Sequence, residues 1–182
     1  MRFPNLLMLT TVLACATFQG AQGVENGFSE PCPPDSEFGA FDFWVGSWDV
    51  SVASGDVAGH NEITKEQDGC VLVERWAGAK GSTGVSLNYY DRDRSQWVQT
   101  YIGTGGSLID IRGGLVDGSM VLEGTLQYLG EGRSSAFRGI WTLLADGRVR
   151  QYFEESPDGG KTWAPWFEGF YTRSEVDVTD AQ

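Results

Sequence analysis

Gly46-Ser47-Trp48, at the start of the first alternating run of this chain, and the Asp-Gly pairs between later runs decide the fold. The four pairs are Asp68-Gly69, Asp117-Gly118, Asp146-Gly147 and Asp158-Gly159. Each lies between segments rich in Val, Ile, Leu, Thr and aromatic residues. Because Asp-Gly accepts the positive φ angles of a tight type I′ turn, the pattern predicts a series of antiparallel hairpins.

Ten alternating runs follow one another with connections of a few residues, and almost no segment has a helical period. The runs lie near residues 43–54, 58–66, 70–77, 84–91, 96–102, 107–113, 119–128, 135–144, 148–155 and 162–173. Closing such a meander removes its exposed edges, whereas a sandwich usually requires longer crossovers. We therefore predict an all-β fold, a single ten-stranded antiparallel up-and-down barrel over residues 40–174. An open two-sheet sandwich is the alternative.

The first residues predict export. Met1-Arg2 and the apolar run 6–16 are typical of a secretory signal peptide, and Ala21-Gln22-Gly23 offers a cleavage site, so residues 1–23 are predicted to be removed. Val12-Leu13-Ala14-Cys15 also fits a lipobox, and a lipoprotein anchored through Cys15 is the alternative to a secreted or periplasmic protein. Residues 24–39 and 175–182 are predicted to be a flexible tail and a disordered C-terminal tail.

The charge balance restricts the partners. The 182-residue chain has a formal charge of -12, which becomes -13 when the signal peptide removes Arg2 and no acidic residue. Such a chain repels nucleic acid and anionic lipid, and no second apolar segment predicts a membrane span. In an oxidising compartment Cys32 and Cys70 most simply form a disulfide, with two free buried thiols as the alternative.

Several spaced motifs resemble an uncharacterised family of bacterial secreted proteins that carries a domain of unknown function. The matching segments are the FDFWxGxWxV motif at 41–50, the stretch 69–76, the run 86–91 with 97–99, and SPDGGKTW at 156–163. The resemblance spans about residues 40–174. It implies a barrel and no particular activity.

The chain also resembles the calycins: the lipocalins, the fatty-acid-binding proteins and the nitrobindin-like barrels. Their first strand carries Gly-x-Trp, which Gly46-Ser47-Trp48 matches, and the resemblance implies that Arg173 of the last run covers Trp48 at one barrel end. Nitrobindin-like barrels hold haem through a histidine. His60, the one histidine here, is predicted to point outward, so we predict no cofactor and no metal site.

Alternate residues of a barrel strand face inward, so parity predicts which side chains line the interior. We take Glu74 and Trp76 as inward on the third run, with Val71, Val73 and Arg75 as the alternative set. A buried Glu74 requires a partner, for which we predict Arg138. The predicted ligand-binding residues are Glu74, Trp76, Asn88, Tyr90, Trp97, Gln99, Arg138 and Gln151. Alternatively, these side chains fill the barrel and form hydrogen bonds with one another, without a ligand.

The predicted function is binding of a small hydrophobic or aromatic molecule inside an exported calycin-like barrel. The alternative is a non-covalent acid/base enzyme, a lyase, isomerase or hydrolase, with Glu74 as the candidate catalytic residue. No Ser/His/Asp set supports covalent catalysis. Ser156-x-Asp158-x-Gly160-x-Thr162-Trp163 fits the Asp-box pattern of sialidase propellers, which we interpret as a hairpin stabilised by the Asp side chain.

Overall fold

The structure is a computed structural model and describes residues 31–175. The predicted signal peptide 1–23, Cys15, the first part of the predicted tail (24–30) and residues 176–182 lie outside the described residues.

Ten antiparallel strands close into one up-and-down barrel, as predicted. In chain order β1 to β10 are Gly46–Ser51, Val57–Glu66, Val71–Gly78, Thr83–Asp91, Gln96–Gly103, Ser107–Val116, Ser119–Tyr128, Arg133–Leu143, Val149–Ser156 and Ala164–Arg173. Each strand pairs with the next, and β1 closes the barrel by pairing with β10. Two short 3₁₀ turns, Glu37–Gly39 and Asp42–Trp44, precede β1.

The β6–β7 connection is a type I′ turn, as its Asp-Gly pair predicts. Asp117 and Gly118 are the two residues between these strands, with φ angles of 49° and 81°. Positive φ at both positions defines a type I′ turn, whose twist matches that of the flanking strands.

One end of the barrel is closed by the segment that precedes β1. Phe41 and Trp44 are fully buried there, with ring centroids 5.0 Å apart, and Phe41 also packs against Trp97 and Trp141. We call this the closed end.

Residues 31–39, which the sequence predicted to be part of a flexible tail, pack against the barrel. Phe38 is buried and packs edge-on against Tyr90, and the predicted disulfide joins Cys32 to Cys70 in the β2–β3 connection. The covalent bond and the aromatic contact hold this segment against the closed end. Its Pro- and Gly-rich composition predicted only the absence of regular structure.

Arg173 and Trp48 meet at the closed end, as predicted. The guanidinium carbon lies 3.9 Å from the indole ring centre, and Nη1 donates to the Val45 carbonyl at 2.7 Å. Gly46 makes this approach possible, since a Cβ added there would lie 1.7 Å from Arg173 Nη1. Its φ of 141° also favours glycine.

No helix within residues 31–175 has the length and apolar character needed to cross a membrane.

Candidate ligand-binding cavity

A cavity of about 550 Å³ occupies the half of the barrel opposite the closed end. Its mouth lies among the β1–β2, β3–β4 and β5–β6 connections, residues 52–56, 79–82 and 104–106. Six aromatic side chains from four strands contribute to its wall: Trp76, Tyr101, Phe153, Trp166, Phe167 and Tyr171. A volume of this size suits a small organic molecule, and aromatic walls supply its apolar contacts.

A chain of hydrogen bonds runs from the cavity wall through the interior to Glu74. Gln99 Nε2 donates to Asn88 Oδ1 at 2.8 Å, and Asn88 Nδ2 donates to Ser86 Oγ at 2.8 Å. Ser86 Oγ in turn donates to Glu74 Oε2 at 2.7 Å. Both ends of the chain, Gln99 and Glu74, line the cavity.

A backbone carbonyl determines the direction of this chain. Asn88 Nδ2 also lies 3.2 Å from the carbonyl oxygen of Leu72, which can only accept a hydrogen bond. That atom is therefore the amide nitrogen. Ser86 Oγ accepts from this nitrogen and donates its own proton to Glu74 Oε2.

A second group of polar side chains reaches Glu74 from the other side. Asn61 Nδ2 lies 2.7 Å from Glu74 Oε1 and 3.2 Å from the hydroxyl of Tyr171. Tyr171 donates to Gln151 Oε1. Asn61 Oδ1 is buried and accepts no hydrogen bond from any residue in 31–175.

The electrostatics of the cavity centre on Glu74, which is 4% exposed. Burial raises the pKa of the Glu74 carboxyl, and the hydrogen bonds from Ser86 and Asn61 offset part of that increase. Burial, helped by the charge of Glu74, also raises the pKa of Tyr101 to about 12. No basic side chain of the described residues forms an ion pair with Glu74, whose two donors are neutral.

Parity placed four of the predicted binding residues correctly in the cavity wall. Glu74, Trp76, Gln99 and Gln151 all line the cavity. Asn88 lies one layer behind the wall, fully buried between Gln99 and Ser86.

Two predicted wall residues lie away from the cavity: Trp97 is in the core and the half-buried Tyr90 packs against it. Tyr90 and Trp97 point inward, as parity requires, but they pack at the closed end with ring centroids 6.3 Å apart. Trp97 Nε1 donates to the Glu37 carbonyl at 3.0 Å, so the N-terminal segment occupies the space that a ligand would need. Parity determines on which face of a strand a side chain lies, but not its position along the barrel axis.

The prediction that Arg138 faces inward and pairs with Glu74 is wrong. Its Nη2 lies 2.6 Å from Glu154 Oε2, and its guanidinium carbon lies 4.4 Å from the centre of the Trp163 ring. The neighbouring Phe137 and Trp141 are the inward residues of β8, and both are fully buried. Both parities of β8 carry apolar residues, so the pattern was ambiguous. The outward position gives the charge a partner without desolvating it fully.

Sequence reasoning missed the contribution of β10. Tyr171, Phe167 and Trp166 line the cavity. The sequence contained a signal for Tyr171, because Arg173 was predicted to contact Trp48 and therefore to point inward. Counting back by two from Arg173 gives Tyr171, which pairs with Val50 and shares its face.

His60 and the Asp-box segment behave as predicted. His60 is exposed, with Nδ1 3.3 Å from Asp49 Oδ1. Asp158 Oδ1 accepts from the Lys161 and Thr162 amides at 3.0 and 2.9 Å, which makes the segment a stabilised hairpin turn. Within residues 31–175 no three His, Cys, Asp or Glu side chains are grouped to hold a metal ion.

The cavity thus combines an aromatic wall with one buried carboxyl that receives hydrogen bonds on both oxygens. Chemically it can hold a small amphipathic molecule, or exchange a proton with one through Glu74. Comparison of the chain with protein-family models and with curated proteins finds no match to either.

Proposed function

We propose that this protein binds a small hydrophobic or aromatic molecule in the open half of its barrel. The observation that carries the proposal is the aromatic cavity of about 550 Å³ with Glu74 in its wall. A cavity of that volume is within the range of small-molecule sites, and a few polar groups in an apolar wall are sufficient to orient a ligand.

Trp76 provides the direct test. It lies in the wall, with its ring centroid 6.3 Å from that of Phe167. Trp76→Ala removes apolar contact area, so we expect affinity for aromatic molecules to fall about tenfold, which corresponds to about 1.4 kcal/mol. Trp163→Ala is the matched control, since Trp163 packs under Arg138 on the outer face. Tryptophan fluorescence titrated with naphthalene derivatives measures both variants.

Mass spectrometry of the natively purified protein tests the proposal independently. A co-purifying small organic molecule that is lost from Trp76→Ala and kept by Trp163→Ala supports it. Equal effects of the two variants on every aromatic probe would contradict it.

Acid/base catalysis in the same cavity is the second candidate function. It is favoured by Glu74, a buried carboxyl on the cavity wall whose pKa is raised by burial. Since Arg138 lies outside, any steering of the substrate falls to Gln99, Gln151 and Tyr101. Glu74→Gln should abolish turnover of a neutral substrate while its binding is retained, because only the proton transfer is lost. If the wild type turns over no substrate and Glu74→Gln loses ligand binding, the binding function is favoured.

We propose that the protein is exported to the periplasm or the medium, or anchored there as a lipoprotein through Cys15. The signal-like residues 1–23 and the Cys32–Cys70 disulfide support export. N-terminal sequencing of the exported protein tests this, with Val24 expected as the first residue. A lipid-modified Cys15 indicates the anchored form, and an N-terminus still at Met1 contradicts both.

A further inference from the structure

We propose that the ligand is a hydrophobic or aromatic amine, bound as a monocation with its ammonium group on Glu74. This inference rests on the proposed binding function and names the ligand class for the same cavity. It follows from the direction of the hydrogen bonds around Glu74, from the absence of a cation beside it in the described residues, and from the aromatic wall.

The hydrogen bonds are arranged for an ionised carboxylate. The Leu72 carbonyl orients the Asn88 amide, Ser86 Oγ donates to Glu74 Oε2, and Asn61 Nδ2 donates to Oε1. A carboxylate is an acceptor on both oxygens, with further lone pairs available on each. An ionised carboxylate can therefore accept both bonds and still receive a further donor from a ligand.

The carboxylate lacks a protein counter-charge. Both of its donors are neutral, and no basic side chain within residues 31–175 pairs with it. Lys80 lines the mouth of the cavity, where it is exposed. A buried charge without a partner is unfavourable, so a cation supplied by the ligand would relieve the cost of ionising Glu74.

The rest of the cavity suits the body of such a molecule. Trp76, Tyr101 and Phe167 present aromatic surface in the same wall as Glu74, and aromatic faces attract ammonium groups as well as apolar carbon. Asn61 Oδ1, beside Glu74, is a buried acceptor without a donor in the described residues. The formal charge of -12 favours the approach of cations over anions.

Three probes of similar shape test the ligand class by isothermal titration calorimetry: naphthylethylamine, naphthylethanol and naphthylacetate. They carry a cation, a neutral hydroxyl and an anion on the same aromatic body. We expect the wild type to bind the amine about 10- to 100-fold more tightly than the alcohol, as a charge-assisted hydrogen bond provides. The acetate should bind most weakly.

Two variants with the same charge change locate the interaction. Glu74→Gln should remove the preference for the amine, so that the ratio of amine affinity to alcohol affinity falls to about one. Glu62→Gln changes one exposed carboxylate on the outer face of β2 and should keep the preference, which excludes a general effect of net charge. The comparison of probes on the wild type needs no variant, so it remains decisive if Glu74→Gln does not fold.

The outcomes separate the two proposals. Equal affinity for amine and alcohol, tightest binding of the acetate, or an amine preference that survives Glu74→Gln would overturn the amine proposal and leave the binding function intact. If the wild type binds none of the three probes, both the amine proposal and the aromatic-ligand function fail.

Discussion

The guanidinium carbon of Arg173, the last residue of β10, lies 3.9 Å from the centre of the Trp48 ring on β1. The two residues are also direct partners across the β1–β10 pairing that closes the barrel. Trp48 is fully buried, and its Nε1 donates to the Trp44 carbonyl at 2.8 Å. One side-chain contact therefore joins the first strand, the last strand and the segment that closes the barrel end.

Arg173→Ala is expected to lower the free energy of unfolding by about 1 to 2 kcal/mol, since it removes a cation–π contact and the hydrogen bond to Val45. Arg112→Ala is the control, because Arg112 forms an ion pair with Asp110 on the outer face. Its effect should stay within about 0.5 kcal/mol. Urea unfolding of both variants measures the difference. Equal effects would show that the contact with Trp48 contributes nothing.

Glu74 should make stability depend on pH. Its folded-state pKa is raised above the ordinary value of 4.5, so the folded protein keeps this proton to a higher pH than the unfolded chain. Stability from this group is therefore fully present below 4.5 and is lost as pH rises through the folded-state pKa, by at most about 1.4 kcal/mol per pH unit. Glu74→Gln lacks this titration.

Urea unfolding of the wild type and Glu74→Gln between about pH 4 and about pH 8 measures this effect. We expect the wild type to lose stability relative to the variant as pH increases. Titratable groups common to both proteins cancel in the comparison. A difference that stays constant, or that changes in the opposite direction, would argue against a raised pKa.

Loss of the disulfide should lower the free energy of unfolding and leave ligand binding in the cavity unchanged. The bond spans 38 residues of sequence, so the double change Cys32→Ala/Cys70→Ala should cost about 2 to 4 kcal/mol. Cys32 and Cys70 lie at the closed end, away from the cavity, and ligand affinity of the folded variant should be unchanged. Chemical unfolding and a ligand titration provide the two measurements. A cost below about 1 kcal/mol would mean that the loop constraint is unimportant here.

Asp158 should titrate far below an ordinary aspartate. Hydrogen bonds from the Thr162 amide and hydroxyl, and from Ser156, lower its pKa from 3.8 to about 2. Its contribution to the hairpin is therefore present above pH 3.8 and is lost as pH falls through about 2. NMR titration of the Asp158 carboxyl tests the value, and a midpoint at or above 3.8 would contradict it. In Asp158→Ala, the Lys161 and Thr162 amides should exchange with solvent faster than in Asp117→Ala.

The sequence predicted the cavity residues correctly where only the face of the strand had to be known. Alternation identified Glu74, Trp76, Gln99 and Gln151 because a strand presents its side chains to two faces in strict turn. Alternation did not predict that Trp97 lies at the closed end, because it does not indicate the position of a residue along the barrel axis. It also failed at Arg138, where apolar residues occupy both faces of β8 and the position of Glu154 decided the orientation.

The sequence by itself determined the barrel and its hairpins, because these depend on local turn chemistry and on alternation within each strand. The Asp117-Gly118 turn follows from such a signal, whereas the Trp48–Arg173 contact was implied by the calycin resemblance and the Cys32–Cys70 pair by the predicted export. Only the tertiary structure decided which inward residues surround an open cavity and which form the core. The reason is physical: the N-terminal segment fills one end with Phe41 and Trp44, and the donors to Glu74, namely Asn61 and Ser86, come from the two neighbouring strands.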